Sequence, residues 1–267
     1  MPLTSSPWET PPRFLIRLHT DSAPRFGADE LVTLALGPTA HRAHLGCLTT
    51  SVRPQRRHGE GPQTFTKRND PGRLVAGGAV RVSGAGHQLT GGVTYGTQFS
   101  NSGAGNTINP PPIKGNPISA APVDFAAWLP DGPIAKANGA AAYTNVSTNC
   151  VGSGAARVWA PSATLPPGVY YADCRINITG VNRVYNATFV STIDIVVSGS
   201  GLNITGYTAN VSLFGKTGIT ISGAAISTSG QIQSLGPVLI SGAGGVHRSG
   251  VLATTLTLAG AGTRLEP

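Results

Sequence analysis

The sequence predicts an all-β chain wound as a parallel, right-handed β-helix, and three observations predict it. A short glycine phrase recurs about every 20 residues, apolar residues two apart lead into each copy, and the composition is poor in charge. A fixed period near 20 is the mark of a solenoid, in which each unit buries its apolar face on the next.

The phrase is small-Gly-small-small. Its copies are Ser83-Gly-Ala-Gly86, Ser102-Gly-Ala-Gly105, Ser198-Gly-Ser-Gly201, Ser222-Gly-Ala-Ala225, Ser241-Gly-Ala-Gly244 and Ala259-Gly-Ala-Gly262. Copies follow at 19, 24, 19 and 18 residues, with one gap of 96 between Ser102 and Ser198 that would hold about five units. Gly84, Gly103, Gly199, Gly223, Gly242 and Gly260 are the expected corners, where φ can be positive or where stacked coils leave no room for a side chain.

The lead-ins are strands. Val80-Arg-Val82, Ile195-Val-Val197, Ile219-Thr-Ile221, Val238-Leu-Ile240 and Leu256-Thr-Leu258 put apolar side chains on one face. Val82 to Gly91 also reads onto Val197 to Gly206 without a gap, so each unit carries at least two strands and a corner. The Ser102 copy is poorer, because Asn101 stands where an apolar residue is expected.

Composition agrees with the repeat. Charged residues are 11% of the chain, against about 25% in ordinary soluble domains, and 36 Gly and 21 Pro punctuate it. No apolar run approaches the roughly 18 residues of a membrane span.

Along the chain, residues 1 to 74 carry ten of the nineteen Lys and Arg and show no strand alternation, so they read as a disordered basic tail. Arg53-Pro-Gln-Arg-Arg-His58 and Lys67-Arg68 read as solvated charge, and no nucleic-acid partner is expected. Met1 to Thr20 carries four prolines and only Phe14-Leu-Ile16 as an apolar cluster, so no secretory leader is recognised. Residues 75 to 267 form the repeat domain, with a Pro-rich insertion at about 109–164. Within it Val123-Asp-Phe-Ala-Ala-Trp-Leu129 suits one or two helical turns laid on the solenoid, with Asp124 as a first-turn acid. The last unit stops at Pro267 without a recognisable polar cap, which reads as a fragment of a solenoid.

Chemistry is sparse. Between residues 75 and 267 the acids are Asp124, Asp131, Asp173, Asp194 and Glu266. Asp173 and Asp194 lie about one coil apart and are the weak candidates for a stacked carboxylate pair, as in a polysaccharide lyase or hydrolase. Against that, Asp194 lies between Ile193 and Ile195 and points outward, so no catalytic residue is assigned. No cysteine and histidine cluster has zinc spacing and no calcium-coil repeat occurs, so no metal or cofactor is expected. His87 and His247 follow Gly corners and read as turn residues. Cys150 and Cys174 could bridge neighbouring coils after export, or stay as buried thiols, while Cys47 lies in the tail. Five Asn-x-Ser/Thr triplets, at Asn145, Asn177, Asn186, Asn203 and Asn210, read as incidental.

An ice-ordering face would need one small hydroxyl residue at the same outward position in successive coils. Taking those positions as Arg81, Asn177, Val196, Asn203, Thr220, Leu239 and Thr257, the row is mixed. That argues against ice, although Leu165-Pro-Pro-Gly-Val-Tyr-Tyr171 is similar to segments of secreted proteins of that kind.

The ordered set Gly78-Ala-Val-Arg-Val-Ser-Gly-Ala-Gly86, Leu89-Thr-Gly-Gly-Val-Thr-Tyr95, Ser102-Gly-Ala-Gly-Asn-Thr107, Pro122-Val-Asp-Phe125 and Leu165-Pro-Pro-Gly-Val-Tyr-Tyr171 resembles the extracellular region of bacterial TadG-like proteins of tight-adherence (Tad) pilus assembly. The resemblance covers about residues 75–267. It implies an extracellular or cell-envelope location and partners among envelope or pilus proteins or surface polysaccharide. Members typically begin with a hydrophobic anchor. The first 74 residues here instead resemble a GC-rich gene read in another frame or from another start. The expected function is a non-enzymatic cell-surface or secreted scaffold or adhesion module. A polysaccharide-active enzyme and a bactofilin-like polymer-forming β-helix are the alternatives.

Overall fold

Alternating apolar residues and Gly corners do build a parallel β-helix. The computed structural model describes residues 73–115 and 124–267. The expectations for the tail, for Cys47 and for a leader lie outside those residues.

The first block carries β1 (Leu74–Ala76), β2 (Val80–Val82), β3 (Gln88–Leu89), β4 (Val93–Tyr95), β5 (Phe99–Asn101), β6 (Thr107–Ile108) and β7 (Ile113–Lys114). A 3-10 turn, Phe125–Trp128, and helix α1, Pro133–Ala142, follow. The second block begins with β8 (Tyr143–Asn145), β9 (Val158–Trp159), β10 (Gly168–Ala172), β11 (Arg175–Val181) and β12 (Val184–Ser191). It continues with β13 (Asp194–Ser200), β14 (Asn203–Thr205), β15 (Val211–Gly215), β16 (Gly218–Ala224), β17 (Ser227–Ser229) and β18 (Gln231–Ser234). It ends with β19 (Val238–Ala243), β20 (Val246–Arg248), β21 (Val251–Ala253), β22 (Leu256–Ala261) and β23 (Arg264–Glu266). β8 and β9 lie inside the stretch 109–164 that sequence treats as an insertion, so winding resumes at Tyr143.

Three faces result. Face A runs β8-β10-β12-β15-β18-β21-β1-β4-β7, face B runs β9-β11-β13-β16-β19-β22-β2-β5, and face C runs β12-β14-β17-β20-β23-β3-β6. All the strand pairs are parallel. The first block therefore does not start the solenoid. It stacks on the last coil, with Leu74 opposite Val251, Val80 opposite Leu256 and Gln88 opposite Arg264. The edge of the last unit, expected to lie open, is covered by the chain's own first coil.

This order explains the 96-residue gap. In space the phrase glycines run Gly180, Gly199, Gly223, Gly242, Gly260, Gly84, Gly103. A Cβ on any of the last six would collide with the carbonyl oxygen of the glycine before it. Most of the series also holds positive φ, from +98° at Gly260 to +142° at Gly242. The ladder is unbroken across the junction of the two blocks.

The core follows from the alternation. Ile176, Ile195, Ile219, Val238, Leu256 and Val80 form one inward row of face B, and Ile178, Val197, Ile221, Ile240, Leu258 and Val82 the next. Phe99 continues the first row, and Asn101 falls in the second at the end of the stack. There an apolar side chain would face water. Asn101 Oδ1 instead accepts a hydrogen bond from Asn106 Nδ2 at 2.8 Å.

Outside face A, α1 and the 3-10 turn bury a second cluster. Phe125 and Trp128 meet Phe214 edge-on, with Tyr143, Tyr171 and Val190 around them. Asp124 caps the turn, accepting from the Ala127 amide at 3.3 Å, which is the role expected of it. Helix α1 is missed by sequence because Pro130 and Pro133 read as breakers. Pro133 stands at its first position, where proline is favoured.

The ladder yields a pair of stability measurements. In chemical denaturation Gly242→Ala costs about 3 kcal/mol or more, because both φ and the Gly223 carbonyl oppose it. Gly244→Ala, at φ +68° with open space around it, costs only about 1 kcal/mol.

Candidate functional surface

Register decides which side chains share a row. On face B the outward residues form three rows. The first, Asn177, Val196, Thr220, Leu239, Thr257, Arg81 and Ser100, is the mixed row read from sequence. Asn203, placed in it by sequence, belongs to face C.

The second row stands two residues further along each strand. It reads Thr179, Ser198, Ser222, Ser241, Ala259 and then, across the junction, Ser83 and Ser102. Six of these seven residues are hydroxyl-bearing and the seventh is Ala. The Ser83 amide donates to Leu258 O at 2.8 Å and the Ser102 amide to Val82 O at 2.9 Å, which holds the first block in this register. The row had a signal in the sequence, since it is the first residue of the glycine phrase itself.

Beyond the Gly ladder comes a third row, Val181, Ser200, Ala224, Ala243 and Ala261. From β13 to β22 the three rows hold Val196, Ser198, Ser200, Thr220, Ser222, Ala224, Leu239, Ser241, Ala243, Thr257, Ala259 and Ala261, all uncharged and none aromatic. Neighbouring strands stand about 4.8 Å apart and alternate residues about 6.7 Å apart. Face B is thus a shallow grid of small side chains, with none of the elements packed over face A upon it.

The titratable groups lie away from that grid. Asp173 and Asp194 do not stack. Ile176 pairs with Ile195, so the coil register sets Asp194 beside Arg175 rather than beside Asp173. Arg175 Nε meets Asp194 Oδ1 at 2.8 Å, and Arg157 Nη2 meets Asp173 Oδ1 at 3.2 Å. Each carboxylate is neutralised by its own guanidinium, which corrects the expectation of a carboxylate pair.

Cys150 and Cys174 are joined in a disulfide, with Cα atoms 6.4 Å apart, tying the coil of β8 and β9 to the coil of β10 and β11. Asp173 Oδ1 lies 3.8 Å from Cys150 Sγ. With both sulfurs bonded to each other, that cluster offers a metal only the Asp173 carboxylate.

The histidines are not turn residues. His87 and His247 point into the core and are 0% and 2% exposed. His87 Nε2 lies 2.9 Å from Ser83 O, and His247 Nδ1 lies 3.1 Å from Thr228 Oγ1. Burial lowers the His247 imidazole to about 4 from its ordinary 6.5. Tyr143 is raised well above the usual phenol range, chiefly by burial, and its hydroxyl donates to Trp128 O at 2.6 Å. Among the described residues no helix is long and apolar enough to cross a membrane.

No family model and no curated protein matches this chain. Among solved structures, it is similar to an ice-binding protein from an Antarctic biological consortium, at 15% identity and a TM-score of 0.41, over 80% of this chain and 95% of that one. The likeness is remote in both sequence and path.

Two solution measurements follow. The unfolded chain takes up a proton at His247 below its ordinary pKa of 6.5, while the folded chain resists until about 4. Stability is therefore full above pH 6.5 and falls by about 3 kcal/mol as pH drops towards 4, and His247→Gln flattens that slope in denaturation curves. Reduction of the bridge between Cys150 and Cys174, which closes a separation of 24 residues, lowers stability by about 3 kcal/mol in the same assay.

Proposed function

We propose that the protein is an exported, non-enzymatic surface-binding solenoid that lays face B on an extended ordered solid, and that this solid is ice. The observation that carries the reading is the second outward row. It presents small side chains, nearly all hydroxyls, at one position in seven successive coils. A parallel β-solenoid fits a surface module in general, since its faces are long, stiff and shallow.

Several features favour water in a lattice over a sugar polymer. From β13 to β22 the outward rows carry no aromatic ring on which a sugar could stack and no long polar side chain to clasp hydroxyls. They also carry no charge to hold a disordered hydration shell. Backbone hydrogen bonds on both sides of every central strand hold the grid rigid, so adsorption costs little ordering entropy.

Export is supported by the disulfide, which belongs to oxidising compartments. The tight-adherence resemblance is consistent with a cell-envelope setting. A bactofilin-like polymer is disfavoured by the terminal coil, where Pro110, Pro111 and Pro112 precede edge strand β7 and remove donors that a stacked copy would need.

Growth of ice crystals in dilute protein tests the reading. The protein shapes the crystals and slows their recrystallisation, and Ser222→Tyr with Ser241→Tyr reduces that activity at least tenfold without loss of fold by circular dichroism. Ser227→Tyr on face C leaves it intact. A folded parent protein with no effect on ice, or one retained by a panel of insoluble polysaccharides instead, contradicts the reading.

A further inference from the structure

The joint between the last coil and the first block is made without chain continuity. It brings together residues about 175 positions apart, as in Ser83 Oγ to Leu258 O at 3.2 Å and Thr90 Oγ1 to Leu265 O at 3.3 Å. Backbone bonds run the length of the joint: Gly78 N to Thr254 O at 2.7 Å, Gln88 N to Thr263 O at 2.9 Å, and Leu256 N to Ala79 O at 3.0 Å.

The edge formed by β21, β22 and β23 is selective. Its Gly260 carbonyl leaves room only for a residue without a Cβ, which Gly84 supplies. Its inward residues Val251, Leu256, Leu258 and Leu265 need apolar partners in register, which Leu74, Val80, Val82 and Leu89 supply. An open parallel edge of this kind is a template for another chain.

We propose that this edge is also a docking surface for the first block of a second copy, so that two chains exchange residues 74–114 and form a swapped dimer. Strands β21 to β23 are made after the first block, which waits unpartnered until they fold. The bonds at the joint are identical whether the block comes from the same chain or another. The choice between closed monomer and swapped dimer then rests on loop closure against concentration, and reciprocal exchange closes as a two-fold dimer. Each half of such a dimer keeps a complete face B.

The test uses the full chain with Cys47→Ser and the native disulfide retained. Gln88 and Arg264 are opposite one another and exposed. Two single variants, Gln88→Cys and Arg264→Cys, are mixed, unfolded in denaturant, refolded over a range of concentrations and oxidised. The proposal expects disulfide-linked heterodimer to rise about tenfold from the most dilute to the most concentrated refolding. The double variant refolded dilute should bridge within one chain. Bridging within the double variant, with no heterodimer from the mixed singles at any concentration, overturns the exchange. Failure of the double variant to bridge at all overturns the joint itself.

Discussion

The interaction on which the rest depends is the close approach of each phrase glycine to the carbonyl oxygen of the glycine one coil before it. Only a residue without a side chain can sit there, and at most of these positions the backbone is also at positive φ. Once the glycines are stacked, every residue before and after them is placed in its row. Inward rows become continuous apolar columns from Ile176 to Val80 and from Ile178 to Val82. Outward rows become the grid on face B. The same constraint that builds the core therefore builds the candidate surface.

The two other faces are used differently. Face A is covered along part of its length by Phe125, Trp128 and α1, which bury Phe214 and Val190 beneath a second apolar cluster. Face C carries larger and more polar residues, among them Arg248 paired to Glu266 at 3.2 Å. Charge on face B is confined to the ends of its strands and stack, at Arg175, Asp194 and Arg81. Among the described residues its middle stays uncovered and uncharged.

The fold was legible because Gly and the alternating apolar residues are local signals repeated many times. The coil order was not. Equivalent units carry equivalent phrases, so nothing in Gly84 says that its neighbour below is Gly260 rather than a glycine one repeat earlier in the chain. The outward rows differ for a related reason: the residues between apolar pairs, Thr220 and Leu239, form the mixed row, while the uniform row lies inside the phrase as Ser222 and Ser241. His87 and His247 turn inward although they follow Gly corners, since proximity to a corner does not fix which way the next side chain turns. Asp173 and Asp194, about one coil apart in sequence, fall out of step because the coil between them is shorter than their separation.

The coil order is the central claim, since the ladder and the seven-residue row both require it. Nitroxide labels on Ser102→Cys and Ser241→Cys, in a Cys47→Ser chain with the native disulfide intact, measure it directly by pulsed electron resonance. These positions lie three coil steps apart through Ala259 and Ser83, so their backbones should be separated by about 15 Å. A solenoid wound in simple sequence order would put them five coils apart, by way of β9, β11, β13 and β16, and a backbone separation of about 24 Å or more would contradict the account.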